Sequence, residues 1–218
     1  MKIREKIKKW KEYSKLSDLG IIARRKFFNN AFDGALTCAG IVSGIFIIFL
    51  AEPFTFEAKD VLITGFATAL AIGISGLWGA FLSEEAERKK KVSDMKKDMA
   101  IVEEEAENPE LNNKKNKNRK NKKPRTLLER AENYATIVAS LVDGGAPVLG
   151  SSLPLIPFFF GASLNWIHFI FSYTILAGLL IYLGIFLGQI SGGGRLRYAL
   201  HLITAGVVTL IVSILLGI

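Results

Sequence analysis

Two aspartates stand inside long apolar stretches, and each is followed directly by glycine. Asp33 opens the sequence DGALTCAG, and Asp143 opens DGGAPVLG. A charged side chain at the bilayer centre costs roughly 2.5–3.5 kcal/mol on insertion scales. The apolar stretches around them hold no Lys or Arg, so we expect each carboxyl to be protonated, hydrated or matched with a bound cation. We predict both as metal ligands, with a helix N-cap as the alternative role of Asp33.

A second set of carboxylates has Glu-x-x-Glu spacing. Residues three apart share a helix face, so each pair presents two carboxylates to one cation. Oxygen ligands suit Mg, Ca, Mn and Fe(II), and glutamates from several helices of a bundle build di-iron sites. We predict metal binding here, and the alternative is a solvated face paired with nearby lysines. The pairs are Glu84 with Glu87, Glu104 with Glu107, and Glu129 with Glu132.

Prolines follow Asp143 closely, at positions 147, 154 and 157. Proline removes a backbone donor and frees a carbonyl one turn back. Irregular backbone at membrane depth persists where protein covers it or where it lines a water-filled cavity. Transporters build cation sites from such broken helices. We therefore predict irregular backbone in this stretch, and Thr37 as a further oxygen ligand beside Asp33.

The elements that must position these carboxylates are membrane helices. Half of the residues are hydrophobic, and the mean hydropathy is +0.31 although 22% are charged. A membrane span needs roughly 20 mostly apolar residues. We predict an all-α membrane protein with five transmembrane helices and a cytoplasmic helical insertion between spans two and three. The five apolar stretches are 31–51, 61–82, 135–160, 164–190 and 198–218.

The charged residues divide the chain into alternating segments. A basic N-terminal segment, 1–30, is predicted to be cytoplasmic or interfacial, and 31–83 holds helices one and two. The acidic and lysine-rich segment 84–133 is the predicted cytoplasmic domain, and 134–218 holds helices three to five. Within the domain we predict a helix over 84–107 that continues out of span two, with a thin apolar stripe, then a low-complexity tether and an N-cap at Thr126.

Basic residues predict the orientation in the membrane. With five spans, 27 of the 28 Lys and Arg residues fall on one side, and Lys59 is the exception. The positive-inside rule places that side in the cytoplasm, so the N-terminus is predicted inside and the C-terminus outside. The formal net charge of +8 then indicates topology and attraction to anionic lipid rather than binding of nucleic acid. Glycine pairs such as Gly40 and Gly44 predict close helix packing.

Two of these stretches resemble a known family. RKFFNNAFDG at 25–34, continuing into GIVSG at 40–44, is similar to the first span of the vacuolar iron transporter family. DGGAP at 143–147, followed by LPLIPFF at 153–159, is similar to that family's third span. The resemblance covers roughly a quarter of the chain and extends to the order of five spans with an acidic domain after the second.

The resemblance implies a homodimer that carries Fe(II), and often Mn(II), in exchange for protons. It implies that Asp33 is a ligand in the translocation path and that cytoplasmic glutamates collect metal, with matches at 84, 87, 104, 107 and 132. The chain departs from the family at the end of span two. Gly76 and Ala80 stand there at positions that commonly hold a methionine and a glutamate. These two replacements leave the choice of ion open.

These observations together predict a divalent metal transporter of the cell membrane that exports Fe2+ or Mn2+ from the cytoplasm by proton antiport. The metal is its cargo, and we expect no permanently bound cofactor and no enzymatic activity. The alternative is a membrane scaffold or sensor that transports nothing and whose cytoplasmic domain binds metal or a partner. A membrane hydrolase is a third hypothesis, which the sequence favours least.

Overall fold

A computed structural model of the chain is helical throughout most of the residues it describes, which are 10–11, 14, 19–52, 57–106 and 127–216. A 3-10 helix, Leu153–Phe159, follows the third α-helix without a break. Between these described residues the only β-type pairing is a single bridge that joins Glu57 to Ser163. The α-helices are α1 Leu19–Ala51, α2 Ala58–Ala106, α3 Leu127–Ser152, α4 Trp166–Ser191 and α5 Arg195–Leu216.

Five helical segments are long and apolar enough to cross a membrane. The predicted all-α class and the prediction of five spanning helices are confirmed to that extent, and the protein has the features of a multipass membrane protein. α2 also continues past the apolar stretch to Ala106, as predicted. The start of α1 differs from the prediction, because the helix begins at Leu19 rather than near 31. Lys and Arg are good helix formers, so the helix also includes the basic residues that precede its apolar stretch.

Contacts between helices show that successive helices run in opposite directions. α1 and α3 run parallel, α2 is antiparallel to both, α4 is antiparallel to α1, and α5 is antiparallel to α4. The contacts that establish these directions join Lys26 to Asp143, Gly34 to Pro147, Gly65 to Leu155, Arg88 to Glu132, Ser43 to Tyr173, Phe28 to Phe186 and Gly188 to Arg195.

This topology gathers charge at one end of the bundle. The first turns of α1, the 84–91 part of α2, the first turns of α3 and the start of α5 lie together there. We call it the charged end. The opposite end holds the connection into α2 and the connection into α4, which are joined where the Ala58 N–H donates to the Ala162 carbonyl at 3.3 Å.

The glycines of both Asp-Gly pairs lie at helix crossings. A Cβ on Gly34 would overlap the Pro147 backbone of α3, and a Cβ on Gly144 would lie 2.5 Å from the Gly73 carbonyl oxygen of α2. A Cβ on Gly76 would lie 2.9 Å from the Asp143 carbonyl oxygen. Small residues allow membrane helices to approach this closely. The predicted packing role in span two is therefore confirmed for Gly73 and Gly76 but not for Gly79, which has open space beside it in the described part of the chain. The role extends to the glycines that follow the aspartates.

The other predicted glycine pairs differ from one another. Gly184 and Gly188 pack α4 against the backbone of Ala199 and Arg195 at the start of α5. Beside Gly40, in contrast, the described part of the chain leaves open space. The α4–α5 pair is thus held by close backbone contact, while the face of α1 that carries Gly40 has no such partner among the described residues.

The irregular backbone after Asp143 lies farther along the chain than predicted. α3 remains α-helical through Pro147 to Ser152, and only then does the 3-10 helix begin. Hydroxyl groups bond the carbonyls in this region: Ser151 Oγ donates to the Pro147 carbonyl and Ser172 Oγ to the Pro154 carbonyl, each at 2.7 Å. The irregular segment is therefore a packed corner at the end opposite the charged end, and the backbone around Asp143 is regular.

Aromatic side chains form the core at that opposite end. Phe158 of the 3-10 helix and Phe169 of α4 are buried, with ring centroids 5.7 Å apart, and Phe49 of α1 packs on Phe169 at 5.2 Å. Such aromatic pairs each contribute about 0.5–1.5 kcal/mol beyond the burial of their area. Asn165 caps α4 by accepting from the backbone N–H groups of Ile167 and His168. The core of this end is therefore formed by packed aromatic rings beside a capped helix start.

Alanine at Gly34 should weaken the crossing of α1 and α3. The added Cβ meets the backbone of Pro147, which cannot move aside as a flexible side chain can. Overpacking of this kind costs about 1–3 kcal/mol. Gly178→Ala is the matched control, since nothing lies within 4 Å of a Cβ there. Thermal unfolding in detergent should show a lower melting temperature for Gly34→Ala alone, and equal melting temperatures for both variants would contradict the close crossing.

Cysteine labelling tests the helix directions. A cysteine at Glu57 and one at Gly194 should react with an impermeant thiol reagent from opposite sides of a sealed vesicle, because the residues lie at opposite ends of the bundle. The native Cys38 is fully buried and should not react. Labelling of both introduced cysteines from one side would exclude this topology.

A chain of ion pairs at the charged end

Asp143 is held by two side chains from α1. Lys26 Nζ lies 2.5 Å from Asp143 Oδ2, and Asn30 Nδ2 donates to Asp143 Oδ1 at 2.6 Å. Lys26 and Asn30 are one helical turn apart, so they lie on the same face of α1. The Asn30 amide also donates to the Lys26 carbonyl at 2.9 Å, which fixes its orientation. Asp143 is only 8% exposed and has a charged and a neutral donor, one on each oxygen.

The same ammonium group reaches a second carboxylate. Lys26 Nζ lies 3.2 Å from Glu84 Oε1 of α2, and Arg88 Nη2 lies 3.3 Å from Glu84 Oε2. Arg88 also forms an ion pair with Glu132 of α3, and Lys91 Nζ lies 3.5 Å from Glu132 Oε1. We call this series the ionic chain. In order, it comprises Asp143, Lys26, Glu84, Arg88, Glu132 and Lys91.

Acidic and basic residues alternate along the ionic chain, so it carries no formal net charge. α1, α2 and α3 each contribute to it, which makes it a link among the three helices that cross at the glycines. Breaking a buried ion pair by removing one partner is costly, because the charge that remains is desolvated and uncompensated. Arg88 pairs with two carboxylates, and its Nε is buried without a hydrogen-bond partner among the described residues.

The expectation that no basic side chain is available to Asp143 is wrong. Lys26 precedes the apolar stretch of span one, but α1 is continuous from Leu19, and its parallel run beside α3 brings Lys26 to the level of Asp143. The signal that could have revealed the pair is helical spacing, since Lys26 and Asn30 are four residues apart on one face. A transmembrane span assigned from hydropathy stops at the nearest basic residue. It therefore leaves out a lysine that pairs with an aspartate inside another span.

Asp33 does not join the ionic chain. Its side chain is exposed, while Gly34 beside it packs on α3. Thr37 Oγ1 donates at 2.8 Å to the main-chain carbonyl of Asp33 and not to its carboxylate. The alternative role of Asp33 as an N-cap is wrong, because α1 begins at Leu19 and Asp33 lies in its interior. Asp33 and Asp143 are thus equivalent in sequence context and different in surroundings.

The predicted glutamate pairs are separated by the structure. Glu84 and Glu132 belong to the ionic chain, one from each of two pairs, and face each other across Arg88. Glu87 is exposed, although it shares a helix with Glu84. Glu107 and the predicted N-cap Thr126 lie outside the described residues, as do the side chains of Glu104 and Glu129. Glu84 and Glu132 therefore act singly, each with basic partners rather than with the second glutamate of its pair.

The described residues do not form a preorganised metal site. Among them, no three side chains of the His, Cys, Asp and Glu types converge into a group that could hold a metal ion. Lys26 stands between Asp143 and Glu84, and Arg88 stands between Glu84 and Glu132. A cation could bind these carboxylates only if a basic side chain moved away.

One curated protein is similar to this chain. It is an uncharacterized protein of the archaeon Methanocaldococcus jannaschii, 25% identical over 167 residues, which cover 77% of this chain and 74% of the relative. No protein-family model matches the chain.

Glutamine at Glu132 should destabilise the fold. The change leaves the Arg88 guanidinium largely buried with Glu84 as its remaining partner, and losses of this type are roughly 3 kcal/mol. Glu87→Gln is the matched control, because Glu87 is exposed on the same helix as Arg88. Unfolding in detergent, followed by circular dichroism against denaturant, should separate the two variants. Equal midpoints would show that the ionic chain contributes nothing to stability.

Proposed function

We propose that the protein is a membrane carrier for a divalent metal ion, Fe2+ or Mn2+, which it exports from the cytoplasm in exchange for protons. The observation that carries the proposal is the convergence of Asp143 and Glu84, from two different helices, on one cationic group between membrane-spanning helices. Ionisable residues between such helices are costly, and in membrane proteins they commonly mark ion pathways.

The chemistry of the convergent groups suits a hard or borderline cation. Because Asp143 and Glu84 both contact one ammonium group, one bound ion can contact both carboxylates after that group leaves. Carboxylate oxygens are ligands for Mn2+ and are accepted by Fe2+. Basic groups and protons can neutralise the same carboxylates when the metal is absent, which gives exchange a physical basis.

The resemblance leads us to expect a methionine at position 76, and the glycine that stands there has a packing reason. A Cβ at Gly76 would lie 2.9 Å from the Asp143 carbonyl oxygen, so a methionine does not fit this crossing of α2 and α3. Without a thioether beside Asp143, the proposed site relies on oxygen ligands. This supports Mn2+ at least as well as Fe2+ as the transported ion.

Asp33 has a separate place in the proposal. Its side chain is exposed on the face of α1 that also carries Gly40, within a helix apolar enough to span the membrane. We propose that the protein is a homodimer in which a second copy covers this face and makes Asp33 a path ligand. The charged end faces the cytoplasm in this proposal, with the N-terminus inside, the C-terminus outside and anionic lipid beside the basic residues.

A membrane scaffold or sensor is the second candidate. The observation that favours it is the complete pairing of the ionic chain, in which each carboxylate has a basic partner without any metal. In a scaffold or sensor, the role of the ionic chain would be to join three helices. The two candidates differ in one measurable property, since only a carrier moves metal across a sealed membrane.

Flux through proteoliposomes tests the carrier. Purified protein should move Mn2+ along its gradient, and a pH gradient should change the rate. Asp143→Asn and Asp33→Asn remove a negative charge at nearly constant size and should each lower the initial rate about tenfold or more. Asp94→Asn is the matched control and should transport like wild type, because Asp94 is exposed and lies outside the ionic chain.

One result would contradict the carrier, and another would contradict its proposed path. No metal flux by correctly inserted wild-type protein would favour the scaffold. Unchanged flux in both aspartate variants would exclude the aspartates as path ligands and leave them as packing features.

A further inference from the structure

We propose that the Lys26 ammonium is a tethered competitor, which occupies the cation position between Asp143 and Glu84 and which a divalent ion must displace in order to bind. The inference rests on the proposed function in assigning that position to a divalent ion. It adds a residue that controls access to the position, and neither the aspartates nor the glutamates can do this, since they are the ligands.

The first argument is the coordination of Lys26. Its Nζ bridges carboxylates of two helices, 2.5 Å from Asp143 and 3.2 Å from Glu84. An ammonium group is a compact point charge with three donors on a flexible stem. It therefore fills the place of a small cation and brings one positive charge to two carboxylates. A divalent ion brings two charges to the same oxygens and neutralises them more fully.

The second argument is the difference between the two bridging bases. The Lys26 side chain is 21% exposed, so its long stem has a path to water at the charged end. Arg88 is 13% exposed and bridges Glu84 and Glu132 with a rigid planar group. Lys26 can leave by rotating its side chain, whereas Arg88 stays in place. The cation position is consequently opened by Lys26 alone.

The third argument is what remains after Lys26 leaves. Asn30 Nδ2 donates to Asp143 Oδ1, and Asn30 is also bonded to the α1 backbone. Asn30 therefore keeps the carboxylate oriented, with Oδ2 free to bind the incoming ion. Competition of this kind raises the metal concentration needed for binding and favours divalent over monovalent ions, because a monovalent ion gains no charge over the ammonium it replaces.

Mn2+ binding to the full chain in detergent tests the inference. Lys26→Gln should bind Mn2+ about tenfold or more tightly than wild type, because the internal competitor is removed. Lys89→Gln is the matched control: it removes the same charge from the charged end, but the Lys89 side chain is 74% exposed and, among the described residues, pairs only with Glu85, outside the ionic chain. It should bind like wild type. Adding Asp143→Asn to Lys26→Gln should abolish the gain.

Two further readouts keep the test decisive. Mn2+ at saturation should raise the melting temperature of Lys26→Gln by about 5 °C or more, since the metal replaces the missing positive charge. In wild-type protein, Mn2+ should increase acylation of the Lys26 amine, measured by mass spectrometry, and leave acylation of Lys89 unchanged. This last experiment does not require any variant to fold.

The outcomes separate this inference from the carrier proposal. Tighter Mn2+ binding by Lys26→Gln without any flux would support the competitor and overturn the carrier. Flux by wild type, with Mn2+ binding unchanged in Lys26→Gln and Lys26 acylation unaffected by Mn2+, would overturn the competitor and leave the carrier standing.

Discussion

A carboxylate between membrane helices requires a positive partner, and the arrangement of α1, α2 and α3 follows from that requirement. Asp143 is nearly buried and obtains its partner from α1, where Lys26 and Asn30 lie on one face. Lys26 then brings Glu84 of α2 into the same network. Three helices are thereby held at one end by charge, while the opposite end is held by aromatic packing.

Close helix crossings make these ion pairs possible. The short lysine and aspartate contacts need backbones that approach one another, and the glycine after each aspartate provides that approach: Gly34 packs on Pro147, and Gly144 packs on Gly73. Both Asp-Gly pairs therefore place a glycine at a helix crossing, but only Asp143 takes part in the ion pairs.

Much of the fold could be predicted from the sequence, because hydropathy over about 20 residues reports membrane spans directly. The continuation of α2 and the packing role of Gly73 and Gly76 were also predictable from helical spacing. The partner of Asp143 was not predictable, because pairing across helices depends on how α1 lies beside α3. The apolar stretch of the first span also begins after Lys26, so hydropathy alone leaves Lys26 out of the span. The exposure of Asp33 was equally unpredictable from the sequence, since two similar Asp-Gly stretches do not indicate which residues each aspartate will contact.

The same limit applies to the predicted glutamate pairs. Spacing places Glu84 and Glu87 near one face of α2, but it does not show that Arg88 and Lys26 draw only Glu84 into the network. Local spacing describes what a helix can present, whereas tertiary packing decides which side chains meet. Basic residues are the deciding partners here, and a search for acidic ligands alone passes over them.

A double-mutant cycle between Lys26 and Asp143 tests the central claim most directly. The free energy of unfolding in detergent would be measured for wild type, Lys26→Gln, Asp143→Asn and the double variant. A direct ion pair predicts that the double variant loses less stability than the two single losses added together, with a coupling of about 1–3 kcal/mol. Additive losses, with no coupling, would show that Lys26 and Asp143 do not interact and would contradict the account.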